Sequence, residues 1–268
     1  MADNGLEGEV IGVVWDGTGL GPDGTVWGGE FLTGGYSAYS RRGALGEMRL
    51  PGGDRAAEET WRLGVMLLEA AGLRGEDFFP ARDAERIRAL LSADLNCPRT
   101  SSMGRLFDGV SALLGITRQA SYEGQGAVLL EAAASECGRT YPAPIEKIDG
   151  IWRFDWRPMI GAVASELSEG VSRGEMAAAF MNTLTEMAAD MCRRIREDTG
   201  LTRAVLSGGT FQNQYLLSRL TERLERDGFT VYRHRRVSCN DEGICLGQGL
   251  IASRGGEKYV SCRTAENR

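Results

Sequence analysis

The chain has 268 residues, 42% of them hydrophobic and 25% charged, the balance of a soluble globular protein and too apolar for a disordered one. No run of ~18 apolar residues appears, which excludes a helical membrane span. Thirty-one Lys and Arg against 37 Asp and Glu leave a net charge of −6, which argues against general nucleic-acid binding because phosphate contact needs clustered cations.

The opening Met1-Ala-Asp-Asn-Gly-Leu has no charged n-region, so no signal peptide is expected. Val10 to Trp15 is a β-branched run that predicts a buried strand. Asp16-Gly-Thr-Gly19 follows, then a turn around Pro22-Asp23-Gly24. Thr25 to Leu32 reads as a second strand and Tyr36 to Leu50 as a third, together a meander opening a mixed sheet. Pro51-Gly-Gly-Asp54 breaks the pattern. Trp61, Val65 and Leu68 recur at helical spacing, so residues 55–73 are expected to be one helix, with another over Glu85 to Leu91. Leu106, Phe107, Val110, Leu113 and Leu114 share a helical face. In this reading Arg105 and Asp108, three apart, lie on the exposed side of that helix as a surface ion pair. Gln125 to Cys137 is a further helix, Ile151 to Trp156 a short strand, and Pro158 fits the first turn of the next helix.

The clearest helix begins at Ser172, where Ser172 and Glu175 read as a capping box. Met176, Phe180, Leu184, Met187, Met191 and Ile195 trace one face, read as core, and Gly200 ends the helix. Ala204 to Leu206 is a strand running into Ser207-Gly208-Gly209. A helix follows from Asn213 to Asp227, then a strand over Phe229 to His234. Asp241 starts a last helix rich in small residues, and the final dozen residues read as loose. Six scattered cysteines (Cys97, Cys137, Cys192, Cys239, Cys245, Cys262) form no C-x-x-C pair and read as reduced cytoplasmic thiols. The single histidine, His234, excludes a zinc site built on histidines and leaves almost no room for a Ser-His-Asp or Cys-His triad.

Glycine, at 37 residues, is about twice as frequent as usual, and three glycine-rich turns carry the possible chemistry. Asp16-Gly17-Thr18-Gly19 could close backbone N–H groups around phosphate, with Asp16 free to hold a metal, or could be the tip of an ordinary hairpin. Ser207-Gly208-Gly209 sets a helix N-terminus where free N–H groups favour an anion, with Asn213 placed to reach a ligand, or is a plain strand-to-helix connection. Asn240-Asp241-Glu242-Gly243 could place Asp241 as a helix cap or as a second carboxylate opposite Asp16.

The order of these turns resembles the architecture of actin-like, heat-shock and sugar-kinase ATPases. The stretches VIGVVWDGTGLGPDGTVWGGEFL, LPGGDRAAEETWR, SSMGRLFDGVSALLGI, YEGQGAVLLE, LSGGTFQNQYLL and NDEGICLGQ narrow this to the HypF family, over Val10 to Ala252. The resemblance implies an α/β, ribonuclease H-like lobe: a mixed sheet flanked by helices. Residues 1–54 and 201–255 would form the sheet lobe, and 55–200 a mainly helical insertion acting as a cap or flank. It implies carbamoyl transfer from carbamoyl phosphate, through a carbamoyl adenylate made with ATP, to the C-terminal cysteine of HypE, for the cyanide ligands of [NiFe]-hydrogenase. Asp16 and Asp241 would be metal ligands (zinc, iron or magnesium). Gly17, Thr18, Gly19, Ser207, Gly208, Gly209 and Asn213 would face the nucleotide.

Complete HypF chains are longer and carry a histidine metal motif ahead of the point matching Met1. The expectation is therefore a C-terminal portion of the carbamoyltransferase domain with little activity alone, whose apolar edge pairs with the other lobe or forms a homodimer. Prolines common before the N-D-G-G turn are here Ser238 and Cys239, and an expected helix histidine is Met181. Rival readings are an O-carbamoyltransferase of the same superfamily, a tRNA threonylcarbamoyl-adenosine enzyme and a non-catalytic lobe that binds a nucleotide or a partner.

Overall fold

Alternation sets the first strand. Ile11, Val13 and Trp15 are fully buried on one face of β1 (Val10–Leu20), which pairs antiparallel with β2 (Val26–Gly34), itself antiparallel to β3 (Ala38–Leu45). The computed structural model describes residues 1–254 and 261–263. The chain continues through β4 (Met48–Arg49), α1 (Arg55–Glu58), α2 (Trp61–Ala70), α3 (Ala81–Ala93), β5 (Arg99–Thr100), α4 (Met103–Leu113) and α5 (Gln125–Ala133). The second half holds β6 (Ile145–Ile148), β7 (Ile151–Phe154), α6 (Arg157–Ser168), α7 (Arg173–Thr199), β8 (Arg203–Ser207), α8 (Gln214–Arg226), β9 (Thr230–Tyr232), α9 (Ile244–Ser253) and β10 (Ser261–Arg263).

The sheet runs β6-β7-β3-β2-β1-β8-β9, with β8 parallel to β1 and β9 parallel to β8. An antiparallel meander joined to two parallel strands through a covering helix is the ribonuclease H-like order. The helices of 55–200 flank the sheet: α4 packs on β1, α2 and α5, while α7 packs on β1, β3 and α8. That region also adds β5, β6 and β7 to the sheet. The hairpin between β6 and β7 turns at Asp149-Gly150, both at positive φ (51° and 77°), the Asp-Gly signature of a two-residue turn. β6 is not legible from the sequence because its four residues, Ile-Glu-Lys-Ile, put one isoleucine and one charged residue on each face and show no alternation.

Three local expectations are corrected. The helix expected over 55–73 is two pieces, because Trp61 donates its amide to the Arg118 carbonyl (3.2 Å) and the Thr60 hydroxyl donates to the Thr117 carbonyl (2.6 Å). These tertiary bonds hold Glu59 out of helical geometry. Ser172 sits at the start of α7, yet its side chain makes no capping bond, and Glu175 pairs instead with Arg139 at 3.3 Å. Asn240, not Asp241, caps the short helical turn at Asp241–Gly243, accepting from the Glu242 amide at 3.2 Å.

The methionine face of α7 is core, with Met176, Phe180, Leu184 and Met191 fully buried, and Gly200 closes the helix at φ 75°. Cys97, Cys137, Cys192, Cys239 and Cys245 are free thiols. Of the final dozen residues, read as loose from sequence, all but β10 lie outside the described residues, as does the Cys262 side chain. Among the described residues no helix is long and apolar enough to cross a membrane.

Candidate functional site

The register between β1 and β2 shifts between Trp15 and Gly19. The Asp16-Gly-Thr-Gly stretch is therefore a bulged strand end, not a hairpin tip. The tight turn comes later, where the Gly21 amide donates to the Thr25 carbonyl at 2.9 Å. The bulge re-aims Asp16 toward the C-terminal end of neighbouring β8, where open α/β sheets present their ligand sites.

The Asp16 carboxylate accepts the Gly17 amide at 2.7 Å and the Gly209 amide across the strand gap. Gly208, at φ 106° and ψ 156°, lets the chain pass under β1 and donates its amide to the Cys239 carbonyl at 2.9 Å. This bond carries the Asn240–Asp241 segment to the same end of the sheet. Asp16, Ser207, Gly208, His234, Asn240 and Asp241 line one cavity of about 430 Å³. Burial pushes the Asp16 carboxyl above the usual carboxylate range, the two amide bonds oppose the shift, and the charges of Asp241 and Glu123 add to it. The Ser207 hydroxyl lies 2.9 Å from His234 Nε2, and burial pushes the imidazole pKa below its usual value.

The structure thus brings Asp16, Gly17, Ser207, Gly208, Gly209 and Asp241 together. Thr18 is exposed at the rim beside Gly19. Asn213 stands apart: it is buried, caps α8 by accepting the Leu216 amide at 2.8 Å, and turns its Nδ2 to Met181 Sδ at 3.3 Å. The free N–H groups expected at this helix start are also taken. Glu131 of α5 accepts the Gln214 and Tyr215 amides at 2.7 and 3.1 Å, so the anion favoured by the helix end is supplied by the protein itself.

The largest correction concerns α4. Arg105 and Asp108 are 6% and 3% exposed and form a buried ion pair at 3.1 Å. The helix is enclosed along nearly its whole length because β1, α2 and α5 pack around it. Burial pushes the Asp108 carboxyl up to about 6, against the opposing pull of Arg105 and with a further push from Glu123. Ser102 caps α4, accepting the Arg105 amide at 3.1 Å, and donates its hydroxyl to the Gly17 carbonyl at 2.7 Å. A Cβ at Gly104 would lie 2.8 Å from the Gly17 Cα, so glycine here is what allows the helix to abut the bulge.

Two groups at this end were not found from the sequence. Glu30 is 2% exposed, accepts the Gly29 amide at 2.7 Å and pairs with Arg41 at 2.8 Å, with Ser101 bonded to the same carboxylate. It pins β2 behind the bulge, and a glutamate directly after a glycine pair is its only signal in the sequence. Glu123 lies in Y-E-G-Q beside Gly17, a neighbour that only the tertiary packing reveals.

Among the described residues no three His, Cys, Asp or Glu side chains converge as a metal site. Asp16 and Asp241 offer hard oxygen donors, and two carboxylates do not by themselves complete the coordination of a divalent ion.

This sheet order, with two glycine turns and two carboxylates gathered where β1 and β8 end, defines a ribonuclease H-like lobe of the actin-like fold superfamily. The chain belongs to the HypF carbamoyltransferase family: the family model described as "Carbamoyltransferase, Kae1-like Domain, second subdomain" matches residues 12–248. Carbamoyltransferase HypF2 of Cupriavidus necator is 37% identical over 284 residues, covering 94% of this chain and 34% of the relative. Carbamoyltransferase HypF of Rhodobacter capsulatus is 38% identical over 249 residues, covering 92% of this chain and 32% of the relative. The chain therefore spans about a third of the length of these curated relatives. The crystal structure of full-length HypF in the phosphate- and nucleotide-bound form matches with a TM-score of 0.91 at 34% identity, covering 97% of this chain and 42% of that one.

Proposed function

We propose that this chain is the nucleotide-facing part of an ATP-dependent carbamoyltransferase. Water cleaves carbamoyl phosphate to carbamate and phosphate, a carbamate oxygen attacks the α-phosphate of ATP with loss of pyrophosphate, and the carbamoyl adenylate passes its carbamoyl group to a thiol with release of AMP. In this reading the acceptor is the C-terminal cysteine of HypE, the product serves the cyanide ligands of [NiFe]-hydrogenase, and the reaction is cytoplasmic. The observation that carries the proposal is the convergence of Asp16, Ser207, Gly208 and Asp241 on one cavity, with the Gly17 and Gly209 amides donating to the Asp16 carboxylate. Family membership and the likeness to a nucleotide-bound HypF structure support it. Gly17, Thr18, Gly19, Ser207, Gly208 and Gly209 are the nucleotide-facing residues of this proposal. Asn213 supports them from behind as the cap of α8. Asp16 and Asp241 are proposed as two carboxylates of a shared divalent-ion site.

A phosphate oxygen entering here meets Asp16 already holding the Gly17 and Gly209 amides. Anion binding therefore requires Asp16 to turn away or to be neutralised. Its raised pKa lowers the cost of neutralisation. Once released, the two amides can serve a phosphate without a change in protonation.

Calorimetric titration with ATP tests this. Without divalent ions, Asp16→Asn should bind ATP more tightly than wild type, by about 1–2 kcal/mol, because one carboxylate charge is gone. With magnesium present, wild type should tighten and Asp16→Asn should not. Absence of ATP binding to the wild-type chain under both conditions would sink the proposal.

α9 buries none of its side chains, and Ile244 and Leu246 are 52% and 39% exposed beside the cavity. The other lobe of the domain, or a second copy in a homodimer, is proposed to cover this face. A non-catalytic reading, in which the lobe binds nucleotide without turnover, is favoured by one observation, the incomplete ligand set around Asp16.

A further inference from the structure

Arg105 and Glu123 approach the same point from different elements. A Cβ placed on Gly17 would lie 3.4 Å from Arg105 Nη2 and 3.6 Å from Glu123 Oε1. Because Gly17 has no Cβ, the space between the two heads stays open at the C-terminal end of β1. Arg105 Nε is buried without a hydrogen-bond partner, on a side chain only 7% exposed. Its guanidinium is held by Asp108, which pairs with Nη2 at 3.1 Å. Glu123 is exposed at the rim, and no hydrogen bond is made by its carboxylate among the described residues.

The result is a fixed donor and an acceptor facing one gap. A carbamoyl group, O=C–NH2, presents the complement: a carbonyl oxygen that accepts and, on the same carbon, an NH2 that donates. An acetyl group has the same shape and the same oxygen and lacks the N–H.

We propose that Arg105 and Glu123 read the carbamoyl group, with Arg105 donating to the carbonyl oxygen and Glu123 accepting from the NH2. Glu123 then sets the choice of carbamoyl over acyl groups of equal size, and Asp108 is a positioning residue that holds Arg105. The inference rests on the carbamoyl-transfer reading and adds to it the residues that discriminate. A hydrogen bond to a charged acceptor predicts a preference of about 10- to 100-fold.

The test is direct binding of carbamoyl phosphate and of acetyl phosphate to the purified chain in the presence of ATP, for wild type and Glu123→Ala. Glu123 is exposed, so its removal does not threaten folding. Wild type should bind carbamoyl phosphate at least 10-fold more tightly than acetyl phosphate. In Glu123→Ala that ratio should fall to about 1, with the loss confined to carbamoyl phosphate. Arg105→Lys should weaken both ligands. A wild-type ratio near unity, or an equal loss for both ligands in Glu123→Ala, overturns the inference and leaves the carbamoyl reading standing. Failure of wild type to bind carbamoyl phosphate at all, while ATP binds, overturns the inference and leaves the nucleotide-binding reading standing.

Discussion

Gly208→Ala should lose roughly 3 kcal/mol or more of stability and should abolish nucleotide binding. Gly208 sits at φ 106° and ψ 156°, a backbone region that is essentially glycine-only. A methyl group there would lie 2.6 Å from the Trp15 carbonyl carbon and would overlap its oxygen. Neither obstacle can yield cheaply. Trp15 is fully buried, stacked on Phe211 at 5.4 Å, and its strand is locked to β8 by the parallel register of Val14 with Ser207. To relieve the clash β1 and β8 must part at their C-terminal ends, which separates Asp16 from the Gly209 amide and frees the Cys239 carbonyl from Gly208. Gly200→Ala is the control. Its φ is 75° and nothing lies within 4 Å of the added methyl, so only the left-handed backbone cost of about 1 kcal/mol applies. Urea denaturation of both variants, with ATP titration, distinguishes the cases. Equal losses for Gly208→Ala and Gly200→Ala would mean that the close approach of the strands is not what Gly208 serves.

Much of this arrangement is legible in the residues. Val10 to Trp15 and Ala204 to Leu206 read as strands because buried parallel strands are continuous apolar runs. Ser207-Gly-Gly209 reads as a strand-to-helix turn because a glycine pair follows the strand, and the structure adds that Gly208 sits at φ 106°. The methionine face of α7 reads as core from its spacing alone. What the sequence hides is which polar groups are enclosed. Arg105 and Asp108, three apart on a helix, have the spacing of a surface pair, and only the packing of β1 and α5 over the other side of α4 buries them. Glu131 reads as an ordinary helix residue, and its role as the anion at the start of α8 depends on a contact 83 residues away. Asn213 carries a ligand-like position in the motif and a capping geometry in the fold, and one residue's local spacing cannot separate the two. The bulge at Asp16–Gly19 is similar. Glycine announces unusual backbone there, whereas the shift in pairing belongs to the register with β2.

Removing the cation of the buried pair should cost far more than removing the anion. Asp108 is 3% exposed and its carboxyl is pushed up to about 6 by burial, even with Arg105 at 3.1 Å. The folded protein therefore holds the Asp108 proton more tightly than the unfolded chain, where the pKa is near 3.8. Between about pH 4 and 6 the native state binds more protons, so this group's contribution to stability falls as pH rises through that window. Above it the full cost of the buried charge, on the order of 3 kcal/mol, is present. Asp108→Asn removes that charge and should flatten this segment of the pH profile, with little loss at pH 7.5. Arg105→Met leaves a buried carboxylate without its counter-charge and should cost about 3–5 kcal/mol at pH 7.5. Part of that loss should return near pH 5, where Asp108 takes up its proton, and the double variant Arg105→Met, Asp108→Asn should recover most of it at every pH. Denaturant unfolding of the four proteins at pH 5 and 7.5 reads these differences directly. If Asp108→Asn proves as damaging as Arg105→Met at pH 7.5, the carboxylate is there to be charged, and Arg105 is held by an ion pair whose attraction exceeds the cost of burial.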